Sequence, residues 1–184
     1  SSNIDDEATS VNESQLLASA AKEGVVVIQY DLNISTIQDL YRQIEEVISE
    51  SSMEKVNSIA FANHGGEGFF SLLENLNIDD KSLENQEVQE FWINIKSLIK
   101  EGGRIDLLSC DLVSSEEGLT LVQDLEKLTG IDVAASQDTT GDSDFGGNWN
   151  LETDNIDTEK IYFDHLVLQT FDNVLSTFKV KYDD

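Results

Sequence analysis

Four short segments rich in apolar residues, three of them read as solid apolar runs, recur along this chain, and the stretches between them carry apolar residues at helical spacing. The runs are VVVIQY (25–30), VNSIAFA (56–62), RIDLLS (104–109) and IDVAAS (131–136). Short runs rich in β-branched residues, bounded by turn signals, predict strands covered on both faces. Between the first two, Ile37, Leu40, Tyr41, Ile44, Val47 and Ile48 line one side of a helix over 36–50, opened by a Ser35/Gln38 capping box. Val88, Phe91, Trp92, Ile95, Leu98 and Ile99 mark a second helix, which Gly102-Gly103 is expected to stop. Leu119, Val122, Leu125 and Leu128 face inward on a third, with Ser114/Glu117 at its start and Gly130 at its end. Strands alternating with amphipathic helices predict an α/β fold: a three-layer α/β/α sandwich on a mainly parallel sheet.

The domain is expected over 24–178, with a flexible lead-in at 1–23 and a tail at 179–184. Within the lead-in, LLASAA (16–21) suits a short helix. FFSLL (69–73) and NWNLE (148–152) read as short strands, and KIYFDHLVL (160–168) as a strand or a helix. A chain of 184 residues can bury a core without disulfides or metal. Its 37 acidic side chains against 11 basic ones leave a net charge of −26. That field repels phosphate backbones, so nucleic acid is not expected as a partner, whereas Ca²⁺ or basic peptides would be attracted. No apolar run reaches membrane-spanning length. SSNIDDEATS at the start is no signal peptide, although a mature secreted fragment would look the same.

Chemistry is expected where strands end. In an open parallel sheet, ligands bind at the carboxyl ends of the strands. His64 follows the 56–62 run within the glycine-rich turn NHGGEG, and Cys110 follows the 104–109 run. Were those strands neighbours, about 5 Å apart, imidazole and thiol would share one rim. A thiol and an imidazole are the minimum set for thiol nucleophilic catalysis. The glycines beside His64 would let a substrate approach and offer amides to an oxyanion. A capped helix soon after Cys110 would lower the thiol pKa. The plainer reading is that Cys110, the one cysteine, is a small buried apolar residue.

The segments SIAFANHGGEG and RIDLLSCDL resemble the histidine and cysteine blocks of the caspase-like (clan CD) cysteine peptidases. The longer run VVVIQYDLNIST, the His-Gly turn, LLSCDL, LEKLTGIDVAAS and GGNWNLE is similar to an uncharacterised bacterial domain found near the N-terminus of large secreted or surface repeat proteins. The resemblance covers roughly 24–175. It implies a caspase-like sandwich, with His64 as the catalytic histidine and Cys110 as the nucleophile. It implies an oxyanion hole from the amides of Gly65 and Cys110, and a substrate pocket from Asp31, Ser136 and Asp138. An acidic pocket of that kind would select Arg or Lys before the scissile bond. Leu108 stands where Arg/Lys-specific members often carry an acid.

The expected function is that of a secreted or cell-surface cysteine peptidase domain acting on peptides or proteins, its own parent polypeptide among them. The alternative is a non-catalytic binding or anchoring module of a large calcium-dependent adhesin. No cofactor is required by the chemistry. Asp142 and Asp144 in TGDSDFGG offer oxygen ligands for Ca²⁺, although the spacing completes no known loop motif. His165 is expected to be structural, and Trp92 and Trp149 to be core aromatics.

Overall fold

The structure, a computed structural model, describes residues 13–31, 36–51 and 53–175. Its centre is a parallel sheet of three strands, β1 (Val56–Ala62), β5 (Ile99–Leu108) and β6 (Asp132–Ala135), in the order β1-β5-β6. Between β1 and β5 lie the antiparallel strands β2 (Gly65–Gly66), β3 (Phe69–Leu73) and β4 (Leu76–Ile78), then helix α3 (Gln86–Ser97). Helix α1 (Glu13–Ser19) and helix α2 (Ile37–Glu50) precede the sheet, and α4 (Glu116–Thr129) joins β5 to β6. A two-residue ladder, β7 (Asn150–Leu151) with β8 (Ile156–Asp157), and two short helices, α5 (Thr158–Tyr162) and α6 (His165–Leu168), complete the described chain.

Alternate residues of the central strands feed two separate cores, as the two-residue period of a strand requires. Phe61, Ile105, Leu107, Val133 and Ala135 pack with Leu40 and Ile44 of α2, Phe91, Trp92 and Ile95 of α3, and Leu121 and Leu125 of α4. Phe61, Phe91 and Trp92 meet edge-on, with ring centroids 5.1–6.2 Å apart. Burying each such ring is worth about 1.5–3 kcal/mol. On the opposite face Leu108, Cys110 and Ala134 pack with Leu17, Leu151, Tyr162, Phe163, Leu168, Phe171 and Leu175. Helices therefore cover both faces of the sheet, and the α/β sandwich expected from the sequence is present. Trp92 is fully buried in the first core, and Trp149 meets Phe163 at a tilt and Phe171 edge-on at the second.

The helices follow their sequence signals with small shifts at the ends, except that Leu119, expected inward on α4, is 44% exposed and Leu121 packs into the core instead. Ser35 lies outside the described residues, and α2 is capped instead by Thr36, whose side chain accepts from the amide of Asp39. Ser115, not Ser114, caps α4, and Gly130 closes it in the left-handed conformation. In α4 a Cβ on Gly118 would lie 1.8 Å from the Leu112 carbonyl oxygen, so only glycine lets the helix pack on the turn after Cys110.

Two expectations fail. Gly102-Gly103 does not stop α3, which ends at Ser97; the glycines lie inside β5. There they form a bulge, between the register pairs Val56↔Ile99 and Ser58↔Arg104, where a Cβ on Gly103 would strike the Asn57 carbonyl at 2.4 Å. The run VVVIQY forms no strand: Val26 and Val27 are 49% and 45% exposed, and the segment borders a groove of about 660 Å³ against β1 and α2. Its ends are held elsewhere. The Val25 amide turns back to the Lys22 carbonyl, and the Tyr30 hydroxyl donates to the Leu72 carbonyl. β-Branched composition fits a pleated, half-buried surface but does not itself supply a ladder partner. The 160–168 stretch is helical, as α5 and α6, and NWNLE contributes only β7. The proposed lead-in holds α1 from residue 13 on, while residues 1–12 and the 179–184 tail lie outside the described residues.

Candidate functional site

The strand ends bring His64 and Cys110 to the same level of the sheet. Ala62 and Leu108 are register partners in the parallel pair β1–β5, and each candidate stands two residues further on. The pairing persists past the strand end, since the Asn63 amide donates to the Leu108 carbonyl at 3.2 Å. The Ser109 hydroxyl returns a bond to the Asn63 carbonyl at 2.9 Å. The Asn63 side chain donates to the Tyr30 hydroxyl (2.8 Å) and to the Ser71 carbonyl (2.7 Å), which pins the turn before the histidine. His64 is half-buried, and its carbonyl accepts the Ser71 amide at 2.9 Å. Gly65 packs so closely on Ser109 that a Cβ would lie 2.8 Å from the serine Cβ.

Cys110 is fully buried. Its thiol donates to the Thr140 carbonyl (3.4 Å), and its sulfur accepts the Thr140 amide (3.2 Å). Burial, together with the nearby charges of Asp111 and Asp138, pushes the thiol up to about 12 against the lowering effect of the Thr140 bond. The expected lowering by a helix start does not occur. Helix α4 begins only at Glu116, and its first turn carries Glu116 and Glu117. Asp111, which follows the cysteine, has φ +56°, and its amide donates to the Asp138 carbonyl at 2.8 Å. Burial first, and then the charges of Asp138 and Glu67, holds the Asp111 carboxyl above its ordinary value.

The amides of Gly65 and Cys110 converge on one acceptor. Both donate to the carbonyl oxygen of Leu175, at 3.2 and 3.4 Å. These are long bonds between neutral groups, and such a pair strengthens on an oxygen that gains negative charge. Leu175 reaches this position from a segment that runs antiparallel to 140–142. The Asp142 amide donates to the Asn173 carbonyl and the Leu175 amide to the Thr140 carbonyl, each at 2.9 Å, on either side of the Gly141–Val174 pair. Gly141, at φ +140°, allows the approach, because a Cβ there would sit 2.5 Å from the Asn173 carbonyl oxygen and 2.7 Å from the Val174 Cα. The Asn173 side chain, in turn, donates to Glu13 of α1.

The other candidates divide. Ser136 is buried beside the cysteine turn, since the Val113 amide donates to its carbonyl at 3.0 Å. Its hydroxyl bonds to the Asp138 carbonyl (2.9 Å) and to Glu152 (3.2 Å). The exposed Asp138 carboxylate accepts both bonds offered by the Asn148 amide group, at 3.0 and 2.9 Å. Asp31 is exposed and follows Tyr30, whose phenol meets the turn before His64. Asp142 caps the short 3-10 turn Ser143–Phe145 through the Asp144 amide. Among the described residues, no group of three or more His, Cys, Asp or Glu side chains is gathered as a metal ion requires. His165 sits on the surface at the start of α6, between Glu159 and Gln169.

Sequence reasoning missed Thr140, Gly141 and the 173–175 segment. No motif marks them, since their position depends on strand ends far away in the chain. It also missed a buried network on β5. Arg104 pairs with the fully buried Asp106 through two bonds of 2.8 and 3.0 Å. Asp106 also accepts from the Tyr162 hydroxyl, which meets Ser58 at 2.6 Å.

The family model described as "Domain of unknown function (DUF4347)" matches residues 6–175. No curated protein and no solved structure matches the chain.

Proposed function

The chain belongs to the family of the domain of unknown function DUF4347, and from that premise we propose that it is a caspase-like thiol peptidase domain of a secreted or surface protein. Cys110 is the nucleophile and His64 carries the proton. The amides of Gly65 and Cys110 hold the carbonyl oxygen that becomes negative during attack. One observation carries the reading: the amides of Gly65 and Cys110, on residues that follow the register-paired ends of adjacent strands, converge on a single peptide carbonyl oxygen. In the described state the thiol is buried and raised to about 12, so it attacks only once His64 has taken its proton.

The test is hydrolysis of a panel of fluorogenic peptides by the full chain, alongside labelling by a peptidyl electrophile. Turnover that falls at least a hundredfold in both Cys110→Ala and His64→Ala supports the proposal. Turnover unchanged in either variant refutes it, as does a panel without turnover combined with an unlabelled Cys110.

A second reading has its own observation. The complete burial and high pKa of Cys110 suit a structural thiol in a binding or anchoring module. That reading expects Cys110→Ala to keep every activity of the chain, and Asp142 and Asp144 to be where Ca²⁺ would act.

A further inference from the structure

Resting on the peptidase reading, we propose that the substrate strand is the chain's own segment Asn173–Leu175, and that the domain cuts itself between Leu175 and Ser176. Peptidases commonly take their substrates as an added strand, bound through main-chain hydrogen bonds with side chains sorted into pockets. The 173–175 segment has these attributes. It pairs antiparallel with 140–142 through two main-chain bonds, and it delivers its last carbonyl oxygen to the amides of Gly65 and Cys110. The Leu175 side chain is fully buried in the apolar core that includes Leu17, Leu108, Cys110 and Phe171. Thr140 connects the two halves of the site, because its carbonyl accepts both the Leu175 amide and the Cys110 thiol. The family match ends at the same residue, 175.

The placement also revises the expected specificity. Asp138 and Ser136 spend their oxygens on Asn148 and on local turn bonds. The side chain beside the attacked carbonyl enters an apolar pocket that includes Leu108, not an acidic one. The residue preferred before the scissile bond is therefore leucine-like rather than Arg or Lys.

The step balances with water as the only co-reactant. The Cys110 thiol passes its proton to His64, and Sγ bonds to the Leu175 carbonyl carbon. The bond from that carbon to the Ser176 nitrogen breaks, and the amine leaves with the proton from His64. Water then adds to the thioester, frees the Leu175 carboxylate and restores the thiol.

The experiment is intact-mass analysis of the full chain, incubated between pH 6 and 9 with and without millimolar Ca²⁺, run beside the peptide panel. The expected result is a product ending at Leu175. Its yield drops at least tenfold in Cys110→Ala, in Leu175→Asp and in Ser176→Pro, while Leu175→Met still gives it. Ser176→Pro keeps the Leu175 side chain in its core and alters the leaving amide, which guards against a Leu175→Asp chain that fails to fold. A wild-type chain that stays intact at this bond, or is cut at another, overturns the proposal. If such a chain still hydrolyses panel peptides through Cys110, the peptidase reading survives and only the self-cleavage falls. If panel turnover and labelling are also absent, both fall.

Discussion

Replacing Gly141 by alanine should unmask the thiol. A Cβ at this position would lie 2.5 Å from the Asn173 carbonyl oxygen and 2.7 Å from the Val174 Cα, at a φ of +140° that side chains rarely adopt. The 173–175 segment must then retreat, and the solvent exclusion over Cys110 goes with it. In the closed chain the thiol is raised from 9.0 to about 12, chiefly by burial. Three pH units mean about a thousandfold less thiolate at neutral pH, and only the thiolate alkylates. The assay is the iodoacetamide rate from pH 6 to 9, read by mass spectrometry, with circular dichroism as a check that each chain is folded. The native chain should react about a thousandfold more slowly than free cysteine. Gly141→Ala should react at least tenfold faster than the native chain, with a rate profile displaced to lower pH. A native thiol that alkylates like free cysteine refutes the burial argument. A folded Gly141→Ala chain with the native rate refutes the idea that the segment covers the thiol.

Alkaline unfolding should report the same burial. Cys110 is raised to about 12, and Tyr162 is raised as well, by burial and then by the charge of Asp106. Both groups keep their protons in the folded chain at a pH where the unfolded chain releases them. Their stabilisation is therefore complete below about pH 9 and is lost as pH rises, each group shifting the folding equilibrium up to tenfold per pH unit. Urea titrations from pH 7 to 11 should show this slope, and Cys110→Ala should reduce it by one proton's worth; an unchanged slope contradicts the assignment. Asp106→Ala should cost about 3 kcal/mol in urea unfolding, near the lower end for breaking a buried pair, because Arg104 remains 27% exposed. Adding Tyr162→Phe to that variant should cost less than it does in the native chain, since the two share one network; full additivity would argue against coupling.

The fold was legible where local and global signals agree. The helix faces of α2, α3 and α4 follow from apolar spacing, because a helix has one buried stripe wherever it packs. β6 and the end of β5 were visible as apolar runs, because a strand covered on both faces leaves no polar alternation, whereas β1 shows a similar run although only its Phe61 is buried. The segment 25–30 carries the same composition and stays outside the sheet, since composition does not say whether an edge is available in register. Gly102-Gly103 was misread for a related reason. The same pair can end a helix or make a bulge, and the neighbouring strand decides which.

His64 and Cys110 could be placed at strand ends from sequence because each follows its strand directly in the chain. The state of the thiol could not. The helix start that would activate it is local, whereas the burial that suppresses it comes from the second core and outweighs the lowering effect of the Thr140 bond. The amide pair was expected, but its acceptor was not: Leu175 meets Gly65 across more than half of the chain. Short-range order is written in residue spacing, because neighbours along the chain must satisfy each other's backbone groups. Which carbonyl reaches those two amides is a long-range matter, decided only when the packed sheet brings distant segments together.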